Sequence, residues 1–357
     1  MNTIYKFQRL PLAAFILMVF LAIIQTGFAQ EAPAQTVEPD AEAEVDILTR
    51  GPVHEAFAEP LADNPEQGVV VPQEPPQPIE EVAPEEIPEG DNVQWIPGYW
   101  FWDEELNDFI WISGVWRDPP PDHSWVPGYW TPVEGGWVWT PGFWAAAAIE
   151  EVEYLPEPPQ SVEVGPSSPA PSDDHLWAPG AWTWTETRYV WRPGYWVAAD
   201  PNWIWTPAHY VWTPRGYVYV DGYWDRPFET RGVVFAPVYV RPAVYMRPHY
   251  VYRPSIVIRV DFLASAIFVT SHSRHYYFGD YYGDVYYRRG FRPWFEINRR
   301  HRGHDHIYAH HRWRHGRWDR SWEQNLHNDY MNRRRNPDAR PPRTYAAHVG
   351  ASGRTPG

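Results

Sequence analysis

The chain contains no cysteine, which removes disulfides, thiol catalysis and lipid attachment at an N-terminal cysteine together. Enzyme signatures are missing as well. There is no Gly-rich phosphate loop, no H-E-x-x-H, no G-x-S-x-G and no recognisable carboxylate pair, since the acids gather in linkers and turns. Glycosidase carboxylates leave no mark in a sequence, so that class is the least excluded. The expectation is a non-catalytic protein without a cofactor. Aliphatic runs are scarce too: in the back half only residues 255–260 and 262–270 qualify, and they read as strands.

What is present comes in blocks. The 357 residues include 40 prolines, 23 tryptophans and 23 tyrosines, a composition that points to one modest folded region flanked by extended segments. Residues 1–29 read as a secretory signal peptide, with Lys6 and Arg9 ahead of an apolar run over 10–24 and the small residues Gly27 and Ala29 at the cleavage-site spacing. A single membrane anchor is the competing reading, but the run is short of the ~20 residues that span a bilayer. No transmembrane helix is expected after cleavage. Residues 30–92, with 17 acids against one base from residue 31 onward, read as a disordered, acidic, Pro-rich spacer.

Residues 93–230 carry 19 acids and 5 arginines, and residues 231–357 carry 22 arginines and 9 acids, so an acidic front is joined to a basic, histidine-rich back. Within residues 93–224 one phrase recurs eight times, from Trp95, Trp111, Trp125, Trp139, Trp177, Trp191, Trp205 and Tyr219. The starts lie 16, 14, 14, 38, 14, 14 and 14 residues apart. They form two runs of four, separated by a linker over 145–176.

Aromatic residues at spacing two, as in Tyr189-Val190-Trp191, with β-branched residues between them, are a strand signal. The fold class expected is therefore mainly β: a repeated antiparallel β-meander, two runs of four Trp-rich units, with disordered Pro-rich linkers and one short C-terminal helix. The Pro-Gly pair inside each phrase interrupts a strand. A bulge there would put both Trp rings on one face, whereas a type II turn would give two short strands per unit. Either geometry would explain the glycine by its backbone conformation. Buried Trp faces would stabilise a thin domain without a deep aliphatic core.

Residues 231–318 read as a basic Tyr-, Arg- and His-rich β or extended region, in which Arg-Pro pairs recur at Arg241, Arg247 and Arg253 and disfavour helix. Residues 319–336 read as a helix, with Ser321 and Gln324 as a capping box, Trp322, Leu326 and Tyr330 on one face, and Arg333, Arg334 and Arg335 at its C-terminal end. Residues 337–357 read as a disordered tail.

The phrase W-x-x-G-x-W, following a signal peptide, resembles that of the WXXGXW (YXWGXW) repeat proteins exported by bacteria. Six units are intact: Trp95/Gly98/Trp100, Trp111/Gly114/Trp116, Trp125/Gly128/Trp130, Trp139/Gly142/Trp144, Trp177/Gly180/Trp182 and Trp191/Gly194/Trp196. The seventh departs with Ala208 and Tyr210, and the eighth with Tyr219. The resemblance implies residence in the periplasm, cell envelope or extracellular space, and no established activity.

Three functional expectations follow. The leading one is an exported envelope protein whose basic C-terminal region contacts an anionic partner through Arg241, Arg247 and Arg253; envelope polymers, lipid phosphates or the chain's own acidic segment would serve, and nucleic acid would not. The alternative is binding of cell-wall polysaccharide on exposed aromatic faces that include Tyr99, Tyr129 and Tyr195. The weaker alternative is metal binding by the histidine cluster at His301, His304, His306 and His310, which runs on through His311 to His315 with Asp305 among them.

Overall fold

Each W-x-P-G-x-W phrase forms two short strands with the Pro-Gly pair between them, because proline brings no ladder donor. In the computed structural model, which describes residues 44–62, 64–149, 151–270, 275–299 and 304–347, two successive phrases make one hairpin. The signal peptide, residues 30–43 of the expected spacer, His301 and residues 348–357 of the expected tail lie outside the described residues. The first hairpin runs through strands Gln94–Ile96, Tyr99–Asp103, Asp108–Ile112 and Val115–Arg117. Its antiparallel register pairs Trp95 with Trp116 and Trp100 with Trp111.

The break holds two residues on both arms, Pro97-Gly98 facing Ser113-Gly114, so the strands resume in register. That symmetry corrects the expected bulge, which needs two residues against one. A type II turn is also ruled out, since none of the repeat glycines has the positive φ its third position demands. The glycines answer a different need. A Cβ on Gly114 would sit 2.4 Å from Cζ2 of Trp95, and one on Gly98 would sit 2.7 Å from Nε1 of Trp111. The first Trp of each phrase thus covers the glycine of the other, and its ring meets the second Trp of the other phrase edge-on, at 5.3 Å in both pairs of the first hairpin.

Three further hairpins repeat this plan. They pair Trp125 with Trp144 and Trp130 with Trp139, Trp177 with Trp196 and Trp182 with Trp191, and Trp205 with Trp224 and Tyr210 with Tyr219. Gly128 and Gly194 follow the same steric rule and correct the expectation that backbone conformation explains the glycine. A Cβ on Gly128 would lie 2.4 Å from Cζ2 of Trp139, and one on Gly194 would lie 2.4 Å from Cζ2 of Trp177. The mainly β, antiparallel, repeated class is as expected, with two strands per phrase in place of one and four hairpins in place of a continuous meander. The departures in the fourth hairpin fall on corresponding positions: Ala208 stands where the intact units have glycine, and Tyr219 stands where the facing phrase has its first Trp, paired with Tyr210.

The Pro-rich segments are not free linkers. Residues 75–81 and 158–163 share the phrase P-P-Q followed by a glutamate, and each lies across a hairpin as a strap. Nε1 of Trp100 donates to the Gln77 carbonyl at 2.9 Å, and Nε1 of Trp182 donates to the Gln160 carbonyl at 3.0 Å. The glutamate then closes the strap. Glu81 accepts the amides of Gly98 and Gly114 and the indole N–H of Trp111, at 2.8, 3.0 and 3.0 Å. Glu163 accepts the Gly180 amide at 2.6 Å and the Trp177 indole at 3.3 Å. In the second hairpin Glu55 accepts the Trp139 indole at 2.7 Å and the Gly142 amide at 3.0 Å. A broken ladder leaves amides that must find partners, and these carboxylates supply them. The six repeat glycines are therefore not equivalent, as their shared motif suggests: Glu81 takes both amides of its break, whereas Glu55 bonds Gly142 rather than Gly128, and Glu163 bonds Gly180 rather than Gly194.

The front, the repeats and the back share sheets, so the expected boundary near residue 230 does not separate two bodies. One sheet runs in the order Val45–Ile47, Val238–Val240, Asp108–Ile112, Tyr99–Asp103, and another runs Val257–Ile258, Gly232–Phe235, Val115–Arg117, Gln94–Ile96. A third joins Gly51–Pro52 to Tyr276–Phe278, Ile267–Val269 and Arg292–Pro293. Residues 44–58, expected as part of the spacer, therefore enter the core, where Val53, Ala56 and Phe57 are buried.

The helices are α1 (Phe228–Arg231), α2 (Pro242–Tyr245), α3 (Val260–Ser265), α4 (Asp284–Arg288), α5 (Phe295–Arg299), α6 (His306–Gly316) and α7 (Trp322–Arg335). Helix α2 forms inside the Arg-Pro repeat because Pro242 occupies its first turn, where the missing N–H costs nothing. Helix α3 replaces the start of the strand expected over 262–270. Helix α7 matches the expected one, with Leu326 and Tyr330 buried, although Ser321 makes no side-chain cap bond. Beyond it, residues 337–347 are ordered: Thr344 bridges to Leu48, and Arg343 pairs with Glu105 at 2.7 Å. No helix among the described residues is long and apolar enough to cross a membrane.

At the junction of these parts, Arg117, 0 % exposed, holds both oxygens of Asp225 at 2.6 and 2.7 Å. Arg231 adds a contact to Asp225 at 3.0 Å and donates to the Phe57 carbonyl. Burial pulls the Arg231 guanidinium down to about 10, against the pull of Asp225.

Candidate functional site

The three arginines of the Arg-Pro repeat do not form one free patch. Arg247 makes two bonds to Glu44, at 2.7 and 2.6 Å, and Arg253 reaches Glu85 at 3.4 Å, whereas Arg241 stands exposed ahead of α2. Two of the three are thus directed at the chain's own acidic front. Pairs this exposed are weak and screened by salt.

Arginines from two other segments do converge. The ring of Tyr287 on α4 lies between Arg292, 3.5 Å from its centroid, and Arg334, at 4.6 Å, and Arg334 also pairs with Asp284 at 3.0 Å. Arg333 donates to the Tyr282 hydroxyl at 2.8 Å. This joins the C-terminal end of α4, with exposed Arg288 and Arg289, to the C-terminal end of α7, with exposed Arg335. Both ends are places where the helix dipole favours cations and carbonyls accept donors. Sequence reading saw Arg333, Arg334 and Arg335 only as dipole partners; nothing local signals that 288–292 lies beside them.

The tyrosines expected on an open face divide. Tyr99 stacks on Trp139 at 4.8 Å and its hydroxyl lies 3.0 Å from Nε2 of His275, so it belongs to the interior; burial raises its pKa well above the usual range. Tyr129 and Tyr195 are 44 % and 40 % exposed. Each directly follows a repeat glycine, Gly128 or Gly194, that is half-buried beneath the Trp of the facing phrase. Tyr129 lines an open cleft of ≈ 330 Å³ with Thr131, Tyr154, Pro214 and Arg215.

Among the histidines, those expected as ligands are spent separately. His306 lies 3.4 Å from the Thr206 hydroxyl, and His310 lies 2.8 Å from the Asp200 carbonyl. Burial holds His304 down to about 4 and keeps His306 well below the ordinary range. The group that comes together instead is Glu229 of α1 with His311 and His315 of α6, their ligand atoms all within 4.8 Å of one another. The i, i+4 spacing of the two histidines was legible in the sequence; the carboxylate, 82 residues from His311, was not.

Residues 90–117, 107–131, 121–145, 135–148, 173–197 and 201–225 match the family model of the WXXGXW repeat in two copies. The chain carries WXXGXW repeats over residues 90–148, 173–197 and 201–225. The two-copy form of that model agrees with the hairpin made from two phrases, and the WXXGXW repeats so matched contain every Trp and Gly of the six intact units. No curated protein and no solved structure matches the chain.

Proposed function

We propose that this protein is a non-catalytic, exported scaffold of the cell envelope that contacts an anionic partner through its basic C-terminal region. One observation carries the reading: Tyr287 held between Arg292 and Arg334, which brings two separate arginine runs to one surface. The arginines named from the repeat contribute less, because Arg247 and Arg253 are already engaged by Glu44 and Glu85. The triple variant R288Q/R289Q/R335Q should elute from an anionic-polymer column at lower salt than the wild type. R241Q/R247Q/R253Q should elute with a smaller shift. Equal elution of the wild type and R288Q/R289Q/R335Q at low ionic strength would sink the proposal.

A second reading, binding of cell-wall polysaccharide, is favoured by the cleft beside Tyr129. Exposed Tyr129 and Tyr154 offer rings to a sugar, and the Arg215 guanidinium, 5.8 Å from the Tyr154 ring, offers hydroxyl partners. Retention that persists at high salt and disappears in Y129A would select this reading.

A further inference from the structure

His311 poses a problem that the other described residues do not answer. It is 2 % exposed, its ring packs against both Phe228 at 5.2 Å and Trp294 at 5.4 Å, and neither ring nitrogen has a hydrogen-bond partner among the described residues. An imidazole always carries a donor or an acceptor on each nitrogen, and leaving both unmade in the interior is costly. One turn later His315 stacks on it at 5.7 Å and 14°, and is itself held face to face against Trp322 at 5.1 Å and 8°. Glu229 reaches the same place from α1.

We propose that Glu229, His311 and His315 bind a divalent first-row transition-metal ion, with zinc the best fit. Two imidazoles at i, i+4 on one helix and a carboxylate from a second segment are a borderline-soft donor set suited to Zn, Co and Ni. Tetrahedral zinc holds its donors ~3.3 Å apart, so the three atoms, now within 4.8 Å, need to close by at most ~1.5 Å to share one ion. Ring stacking on Trp322 leaves His315 little rotational entropy to lose. With three protein ligands, the fourth position of the ion is left for water or for a group from a partner.

Arg314 is the built-in competitor. Its guanidinium donates to Oε2 of Glu229 at 3.0 Å, so a bound ion must share or displace that pair. This yields a signature that a merely structural role for the histidines would not produce: R314Q should bind the ion more tightly than the wild type.

The experiment uses the full chain, stripped with chelator and titrated with Zn(II) by calorimetry and with Co(II) by visible absorption. One equivalent should bind, with the d–d bands of a low-symmetry four- or five-coordinate site. H315A and E229Q should each weaken binding by more than the ~10–100-fold that loss of an outer-shell partner costs, while H249A, at an exposed site elsewhere, should bind as the wild type does. His315 and Glu229 are partly exposed, so these variants keep the fold, which an unchanged urea midpoint would verify. Wild-type affinity in both H315A and E229Q, or no stoichiometric binding by the wild type, would overturn the proposal.

Discussion

At the scale of single residues, the repeat glycines are explained by what lies over them. A Cβ at Gly180 would meet Cζ2 of Trp191 at 2.5 Å and the Arg192 carbonyl at 2.7 Å, so one added methyl must push a ring and a strand together. G180A should therefore lose about 1–3 kcal/mol in urea unfolding, the usual cost of overpacking. In the fourth hairpin Ala208 occurs together with Tyr219 at the facing Trp position, and that pairing is the model for the compensating change. Adding W191Y to G180A should recover part of the loss, a favourable coupling in a double-mutant cycle, and simple additivity of the two changes would refute the reciprocal Trp-over-Gly account. Glu81, Glu163 and Glu55 act at the same scale, each satisfying amides that the Pro-Gly break takes out of the ladder. For Glu81, burial outweighs its three N–H partners and raises its pKa.

Among elements, the hairpin and its strap form a unit. Tryptophan indoles reach the Gln77 and Gln160 carbonyls, and the glutamate at the far end of each strap grips the twin break. Proline suits this role because a strap that is already extended loses little entropy on docking. The third hairpin is the more exposed of the two strapped ones, so its strap can be tested without collapse of the core. E163A should loosen residues 158–163 and increase acrylamide quenching of the tryptophan emission, with the global unfolding midpoint moving far less. Quenching that stays at the wild-type level would mean that the strap is held by its prolines alone. Helix α6 is the element that sequence reading missed: its face toward the core is built largely of histidine, with His306, His310 and His311 buried beside Ile307 and Tyr308, and an apolar periodicity is therefore absent.

Over the whole molecule, the formal charge asymmetry is partly neutralised inside the fold. Arg50 pairs with Asp103, Arg226 with Asp91 and Asp118, Arg247 with Glu44, Arg253 with Glu85, Arg317 with Asp174 and Arg343 with Glu105. The interior is also rich in neutral histidine, and that sets the response to acid. Burial holds His54 and His304 down to about 4, and His306 and His311 well below their ordinary value. Each folded pKa lies below the unfolded one, so the unfolded state binds more protons and stability is lost as pH falls from about 6.5 toward 4. Asp305 works the other way: burial raises it to about 6, and its contribution is lost as pH rises through that value. With several histidines against two raised carboxylates, Asp305 and Glu81, the urea midpoint should drop steadily from pH 7 to pH 5, and H54N should flatten the slope. A midpoint independent of pH over that range would contradict the buried-neutral assignment.

What the sequence determined by itself is what depends on short spacings. Aromatics at every second position set strands, Gly three residues after Trp set the hairpin break, and Trp322, Leu326 and Tyr330 set the face of α7, because each is an interaction between near neighbours on one element. The tertiary structure alone decided which phrase pairs with which, that P-P-Q segments bind hairpins rather than link them, and that residues 44–58 enter the core. It also decided where charge and chemistry converge: Arg292 and Arg334 at the ring of Tyr287, and Glu229 beside His311 and His315. These depend on contacts across tens to hundreds of residues, where proline content and like charge read locally as disorder. Only in the folded chain do buried indole N–H groups and glycine amides supply the partners that make an acidic, Pro-rich segment ordered.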